Sequence, residues 1–275
     1  MPELAEVEYF RKRWDVGIGH QITRVMLHAE KRVFRGGEPA VIERTLRGAK
    51  LLSSEARGKQ MLFRFSRAAW IGVHLGMTGV MRIEVSDFEP GKHDHFVLFQ
   101  KRQALVFSDP RMFGRVRFEC SKEAPAWWLK LPPAVTSREF TTARLREILL
   151  RRARAPLKAL LLMQEFFPGV GNWMADEILW QAGLNPRVAA GALNAAEARE
   201  LWRAARTICR VALKTIGLDW SDPPAGWLIH ERWKKTGRCP KHRTPLQHAT
   251  ISGRTTAWCQ QCQRLRGMRR KTSIR

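Results

Sequence analysis

Acidic residues are scarce in this chain: 25 Asp and Glu stand against 49 Lys and Arg among 275 residues, a formal net charge of +24. Such an imbalance repels itself in a compact fold unless a polyanion or solvent screens it. Nucleic acid is the leading partner, because neutralised phosphates release condensed counterions. An anionic membrane surface is the rival, yet no basic amphipathic segment presents one coherent apolar face. No apolar run reaches transmembrane length, which excludes a helical membrane span. The N-terminus lacks the basic region and hydrophobic stretch of a signal peptide, so a soluble, intracellular protein is expected. Internal repeats are missing too. The five cysteines are an odd number, which argues against a secreted disulfide framework. Cys120 and Cys209 lie alone among apolar residues and read as buried, reduced thiols.

What is present suits two domains, each able to bury its own core, with 44% hydrophobic residues. After a first helix over residues 5–14, the chain to about Glu119 reads mainly as strands. Residues 21–28 and 60–65 alternate, 69–75 is a more continuous apolar run, and 95–101 and 104–107 flank a hairpin at Arg102-Gln103. Pro125, Pro132 and Pro133 mark a linker over 121–138. Helices follow: 142–150 capped by Thr141, a second from Pro156 to about Gln164, a third from Asn172 to Gly183, and a fourth over 194–215. In the fourth, Leu201, Ala204, Ala205, Ile208, Val211 and Ala212 form one apolar stripe. The expected fold class is α+β. A β-sandwich domain with an N-terminal helix (1–120) precedes the linker (121–138), a helical domain (139–233), and a metal-bound β-ribbon with a basic tail (234–275). The tail carries Arg264, Arg266, Arg269, Arg270, Lys271 and Arg275, which are either solvated or in contact with phosphate.

Pro2-Glu3, with Glu6 close behind, carries the first chemical signal. Removal of Met1 would leave Pro2 as an N-terminal secondary amine. An α-amine titrates near ~8, against ~10.4 for lysine, so a useful fraction is an uncharged nucleophile at neutral pH. Its attack on a sugar aldehyde gives an iminium, the chemistry that opens an abasic deoxyribose. The plainer alternative is an acidic helix start.

Cys239-Pro-Lys-His242 and Cys259-Gln-Gln-Cys262 are two ligand pairs separated by sixteen residues, enough for a hairpin that brings them together. Three thiolates and an imidazole make a closed tetrahedral zinc site, structural because no position stays open. His248 is a substitute ligand at poorer spacing. Arg254 sits where the hairpin turns, either gripping a phosphate bidentately or solvated. The loop Pro168-Gly-Val-Gly-Asn172 opens a helix whose free amides favour an anion. Lys59 precedes a strand, while Met77, Arg111 and Phe113 sit on Gly-rich turns. They are either wedges for a base stack or ordinary turn and core residues.

In this order, the motifs resemble the formamidopyrimidine-DNA glycosylase/endonuclease VIII family over nearly the whole chain. They are Met1-Pro-Glu-Leu-Ala-Glu-Val-Glu8, Arg57-Gly-Lys59, His74-Leu-Gly-Met-Thr-Gly79, Asp109-Pro-Arg-Met-Phe-Gly114, Gly169-Val-Gly-Asn172 and the zinc ribbon. The resemblance implies a β-sandwich and a helix–two-turn–helix domain with a zinc finger, holding damaged duplex DNA in a cleft with one base flipped out. It implies that Pro2 attacks C1′, that Glu3 is the general acid/base, and that Glu6 helps position the site. Lys59, Asn172 and Arg254 would grip phosphates, and Met77, Arg111 and Phe113 would fill the void. β- and δ-elimination would cut the strand. A monomer with one structural zinc is expected. His242 stands where many members have cysteine, Met112 replaces a common arginine, and Gln60 replaces a frequent aromatic. The stretch 217–239 is shorter than in members that cap 8-oxoguanine with a loop here. The alternative function is a non-catalytic, zinc-containing protein that binds damaged DNA on the same scaffold. An RNA-binding role ranks third.

Overall fold

Helix α1 (Leu4–Arg13) begins at a capping box: the Glu3 carboxylate accepts from the Glu6 N–H, and the Glu6 carboxylate accepts from the Glu3 N–H at 3.1 Å. Arg11, Lys12 and Arg13 fill its last turn, where the helix dipole favours cations. The computed structural model describes residues 1–35 and 37–265. These form two compact units. Unit 1 is Met1–Pro132 with Thr215–Trp220, and unit 2 is Pro133–Lys214 with the chain from Ser221 onward.

Unit 1 carries β1 (Ile22–Leu27), α2 (Pro39–Leu46), β2 (Leu51–Arg57), β3 (Gln60–Phe65), β4 (Ala69–His74), β5 (Val80–Val85), β6 (Asp94–Gln100), β7 (Gln103–Ser108) and β8 (Arg115–Cys120). Two antiparallel four-stranded sheets result, ordered β1-β6-β7-β5 and β2-β3-β4-β8. Alternation sends Phe63 and Phe65, Ile71 and Val73, Phe96 and Leu98, and Leu105 and Phe107 into one shared core. Trp14, fully buried, stacks 4.9 Å from Phe63 of one sheet and 6.0 Å from Phe96 of the other. This is the expected β-sandwich, bridged by the indole that ends α1. The opposite faces of β6 and β7 bury a smaller cluster of Val97, Phe99, Ala104 and Val106. After β8, α3 (Ala126–Leu129) buries Trp128 on Leu62 and Trp70, the outer face of the second sheet. Cys120 is exposed, contrary to the expected burial, because it ends an edge strand.

Unit 2 contains α4 (Thr142–Arg151), α5 (Leu157–Leu161), α6 (Asn172–Gln181) and α7 (Ala195–Lys214), then the hairpin β9 (Gln247–Ile251) and β10 (Arg254–Trp258). Thr141 caps α4 as expected, its hydroxyl accepting from the Arg144 N–H at 3.1 Å. Helix α5 stops short of Gln164, since the N–H groups of Met163, Phe166 and Phe167 turn back on Leu160 and Met163 carbonyls. Residues 173–180 of α6 are all buried, the pattern of a helix surrounded by protein. The α7 stripe is buried at Leu201, Ala204, Ala205, Ile208 and Ala212, with Cys209 beside it and Val211 at its half-buried edge. Ser252 and Gly253 turn the hairpin at φ 50° and 74°, the left-handed pair that matches strand twist. Between α7 and the hairpin, α8 (Ile216–Asp219) packs on α1 within unit 1. Among the described residues no helix is long and apolar enough to cross a membrane.

Candidate functional site

The two N-terminal carboxylates are fixed by the helix they start. Glu3 is almost wholly buried, at 3% exposure, and the capping box ties it to Glu6. Pro2 is half-buried one residue outside the helix, and Met1 is exposed. An N-terminal nucleophile at this position would therefore sit beside a carboxyl group that cannot swing away without uncapping α1.

Met77, Arg111 and Phe113 are brought together by backbone contact between their loops. Gly76 has φ +65°, and a β-carbon there would lie 2.4 Å from the Phe113 carbonyl carbon and 2.5 Å from the Gly114 nitrogen. Only glycine allows that approach. Asp109, fully buried, fastens the pair: one carboxylate oxygen accepts from the Thr78 hydroxyl at 2.7 Å and the other from the Gly114 N–H at 2.6 Å. Met77 and Phe113 are left about two-fifths exposed, and the Arg111 guanidinium lies 4.9 Å over the Phe113 ring. Apolar side chains held out on rigid turns suit insertion into a base stack.

Lys59 follows Gly58 in the β2–β3 turn and is buried to 8% exposure. His74 lies across β3 from Gln60. Burial holds the His74 imidazolium down to about 4, and the positive charges of Lys59, Arg117 and Arg35 add to the effect. Its Nδ1 accepts from the Gly76 N–H at 3.0 Å, so the neutral ring carries its proton on Nε2. His74 went unremarked as a site residue, although it opens the motif that holds Met77.

In unit 2, Asn172 begins α6 and its side-chain N–H donates to the Thr255 carbonyl at 2.9 Å, beside exposed Arg254 on the hairpin. The two expected phosphate contacts are thus neighbours through one residue. Asp176, one turn into α6, organises them. One of its oxygens accepts from Lys158 Nζ at 2.6 Å, and Lys158 also donates to the Asn172 carbonyl at 2.7 Å. The other accepts from Arg232 at 2.5 Å and from the Ala257 N–H at 3.0 Å. Next to it, burial pushes the Glu177 carboxyl up to about 7, against the opposing hydrogen bonds from Gln181, Ile229 and Leu228. Sequence reasoning missed this group; its one signal was an acidic pair inside an otherwise apolar helix.

Cys239, His242, Cys259 and Cys262 converge, their ligand atoms all within 4.8 Å of one another, and could hold a metal ion. Cys239 Sγ is 3.6 Å from Cys262 Sγ, and His242 Nδ1 is 3.1 Å from Cys262 Sγ. Trp180 Nε1–H donates to Cys239 Sγ at 3.4 Å, anchoring the cluster to α6. His248 points elsewhere in the ribbon: it is exposed on β9, opposite Ala257, and outside the cluster. Of the basic tail, Arg264 is exposed, whereas Arg266, Arg269, Arg270, Lys271 and Arg275 lie outside the described residues.

Against known proteins, the family model for the formamidopyrimidine-DNA glycosylase N-terminal domain matches residues 1–116, and that for the formamidopyrimidine-DNA glycosylase H2TH domain matches residues 131–221. A formamidopyrimidine-DNA glycosylase from Thermus thermophilus is 36% identical over 276 residues, covering 96% of this chain and 98% of its own. One from Solibacter usitatus is 31% identical, covering 96% and 100%. Among solved structures, the Lactococcus lactis protein bound non-covalently to DNA containing an abasic site superposes with a TM-score of 0.84 at 26% identity, covering 96% of this chain and all of that one. The same organism's protein with DNA containing an oxidised pyrimidine gives 0.85 at the same identity and coverage.

Proposed function

The chain belongs to the formamidopyrimidine-DNA glycosylase family, and from that premise we propose that its chemistry runs through Pro2. It is a DNA glycosylase of base-excision repair. With Met1 removed, the Pro2 nitrogen attacks C1′ of the damaged nucleotide, the glycosidic bond breaks, and the base departs with the bonding electrons. Glu3 supplies the proton that lets the sugar-ring oxygen leave C1′, which gives the iminium between Pro2 and the opened sugar. Loss of protons next to the iminium then expels the 3′ phosphate by β-elimination and the 5′ phosphate by δ-elimination. Glu6 holds Glu3 in register through the capping box.

Lys59, Asn172 and Arg254 are the phosphate contacts. The buried surroundings of Lys59 and the shared support of Asn172 and Arg254 at Thr255 favour that reading. Met77, Arg111 and Phe113 fill the space left by the extruded nucleotide. The partner is damaged duplex DNA, bound by a monomer. Cys239, His242, Cys259 and Cys262 hold one zinc ion: a sulfur–sulfur edge of 3.6 Å fits a tetrahedron with Zn–S bonds of about 2.3 Å. With four protein ligands, the ion supplies folding energy to the hairpin.

The observation that carries the proposal is the capping box, which fixes two carboxyl groups at the residue that becomes the nucleophile. Borohydride trapping on abasic duplex DNA tests it. Protein verified by mass to start at Pro2 should form a covalent adduct, and protein retaining Met1 should not. An absence of adduct with the processed form would overturn the mechanism.

A further inference from the structure

The loop between β7 and β8 that carries Arg111 and Phe113 is strained. Met112 sits at φ 55°, in the left-handed region that disfavours a side chain. Such a loop keeps its shape only where its surroundings hold it. The Asp109 carboxylate ties it to Thr78, and further holds reach both of its ends from one segment, residues 28–35 after β1. Arg35 donates to the Gly114 carbonyl at 2.7 Å and fixes the far end. At the near end the Asp109 carbonyl accepts twice, from the Met112 N–H at 3.1 Å and from His95 Nε2 at 3.0 Å. His95 in turn meets His28, Nδ1 to Nδ1, at 3.2 Å, and the His28 backbone N–H donates to the His95 carbonyl at 3.0 Å. Val33 and Phe34 are buried in the core of unit 1, so the segment is a fixed post.

A carbonyl only accepts, so His95 carries a proton on Nε2. Neutral His95 then offers Nδ1 as an acceptor, and His28 donates to it from its own Nδ1. One further proton leaves this bond intact, because either ring can then donate to the other. A second puts an N–H on both Nδ1 atoms, and the pair must part. His95 is 1% exposed, whereas His28 lines an open cavity of about 450 Å³ with Glu30, Lys31 and Lys92. Burial holds the His95 imidazolium below the ordinary histidine range, against the hydrogen bond to Asp109, and charge on His28 or His93 adds to the effect. The titratable groups around the pair are thus Lys92 and His93 before β6, Glu30 and Lys31 after β1, and Asp109, whose carboxylate Thr78 and Gly114 occupy. A charged His95 that has lost its partner has to reach water, and that swing takes Nε2 away from the Asp109 carbonyl.

We propose that His28 is a positioning residue for the void-filling loop: its ring holds His95 on the Asp109 carbonyl, and double protonation of the pair lets the loop go. This rests on the reading that Arg111 and Phe113 fill the space left by the extruded nucleotide.

The test compares full-length wild type with His28→Leu and His28→Asn. Leucine keeps bulk but leaves His95 Nδ1 a buried acceptor without a donor. Asparagine places its amide where Nδ1 stands and can turn over to donate or accept, so it serves either charge of His95. Hydrogen-exchange protection is read for the amides of Met112, Phe113 and Gly114 against residues 97–99 of β6, at about pH 7.5 and about pH 4.5, either side of an ordinary histidine. At the higher pH, His28→Leu should lower loop protection roughly 5- to 100-fold relative to β6, and His28→Asn should stay within about twofold of wild type. At the lower pH, wild type should lose loop protection relative to β6 while His28→Asn keeps it. Wild-type protection in His28→Leu, equal loss in both variants at the higher pH, or the wild-type acid loss in His28→Asn each overturns the proposal. The premise is tested apart from this, by the fluorescence of 2-aminopurine opposite a tetrahydrofuran site in duplex DNA. Wild type should raise it, Phe113→Ala should not, and His28→Leu should fall between them. A wild-type response from Phe113→Ala sinks the void-filling reading alone, and the protection factors still decide whether His28 positions the loop.

Discussion

Each unit fastens the residues proposed to meet DNA with one buried aspartate, but with opposite chemistry. In unit 1, Asp109 binds neutral donors, the Thr78 hydroxyl and the Gly114 N–H, and so joins two glycine turns. In unit 2, Asp176 lies between two buried cations, Lys158 and Arg232, and reaches the hairpin through the Ala257 N–H. The first arrangement relies on backbone shape, and its glycines cannot be replaced. The second relies on charge compensation and, one turn further along α6 at Trp180, on the cluster of Cys239, His242, Cys259 and Cys262. Rigid loops suit residues that must push into a base stack. A charge network suits a surface that must meet phosphates at a fixed spacing.

The largest expected effect is that of removing the zinc ion proposed at Cys239, His242, Cys259 and Cys262. Structural zinc is worth about 10–16 kcal/mol of apparent binding energy in small zinc-finger peptides. Chelation should therefore expose the backbone of β9 and β10 and abolish tight DNA binding while unit 1 keeps its core. Hydrogen exchange resolved by peptide would show protection lost around Cys239 and Trp258 and kept in β6 and β7. Equal loss in both units would remove the distinction.

Next in size is the pair Asp176→Asn and Asp109→Asn. Taking the charge from Asp176 leaves Lys158 and Arg232 buried without their counter-ion, a cost of about 3–5 kcal/mol. The same change at Asp109 weakens hydrogen bonds from neutral donors and should cost about 1–3 kcal/mol. Denaturant unfolding of the two variants would measure the gap, and equal losses would contradict the contrast drawn here.

A further contrast lies in pH dependence, and its sign differs between the units. Glu177 is raised to about 7 from an ordinary 4.5, so the folded protein binds the extra proton between those values. Its contribution therefore falls as pH rises through about 4.5 to 7, by on the order of 3 kcal/mol in all. His74 is depressed to about 4 from 6.5, so its contribution is present above about 6.5 and lost as pH falls towards 4. Local exchange rates should show α6 tightening on mild acidification and the β3–β4 region loosening. Glu177→Gln should flatten the first slope and leave the second unchanged.

Much of this was legible in the sequence wherever the signal was local. The cap at Thr141, the alternation in β1 and β3, the apolar run of β4, the stripe of α7 and the spacing of Cys239, His242, Cys259 and Cys262 all act over a few residues or one hairpin. The strands β2, β5 and β8 were harder to see, because Ser, Glu and Arg face solvent along them and dilute the alternation. The clamp at Asp176 was invisible for another reason. Its partners lie 18 and 56 residues away in sequence, and no local pattern announces a contact made only by packing. The exposure of Cys120 and the return of residues 215–220 to α1 likewise depend on which strand is an edge and which helix has a free flank.

The double crossing of the chain has a practical corollary for dissecting the molecule. A single cut between Pro132 and Pro133 would not yield two finished halves. The leading fragment would carry Tyr9 and Phe10 bare of the Trp220 ring and Lys12 without the Gly217 carbonyl, while the trailing one would drag a stray aromatic hook. An independently expressed amino-terminal piece would need the peptide 215–220 supplied in trans or grafted through a loop.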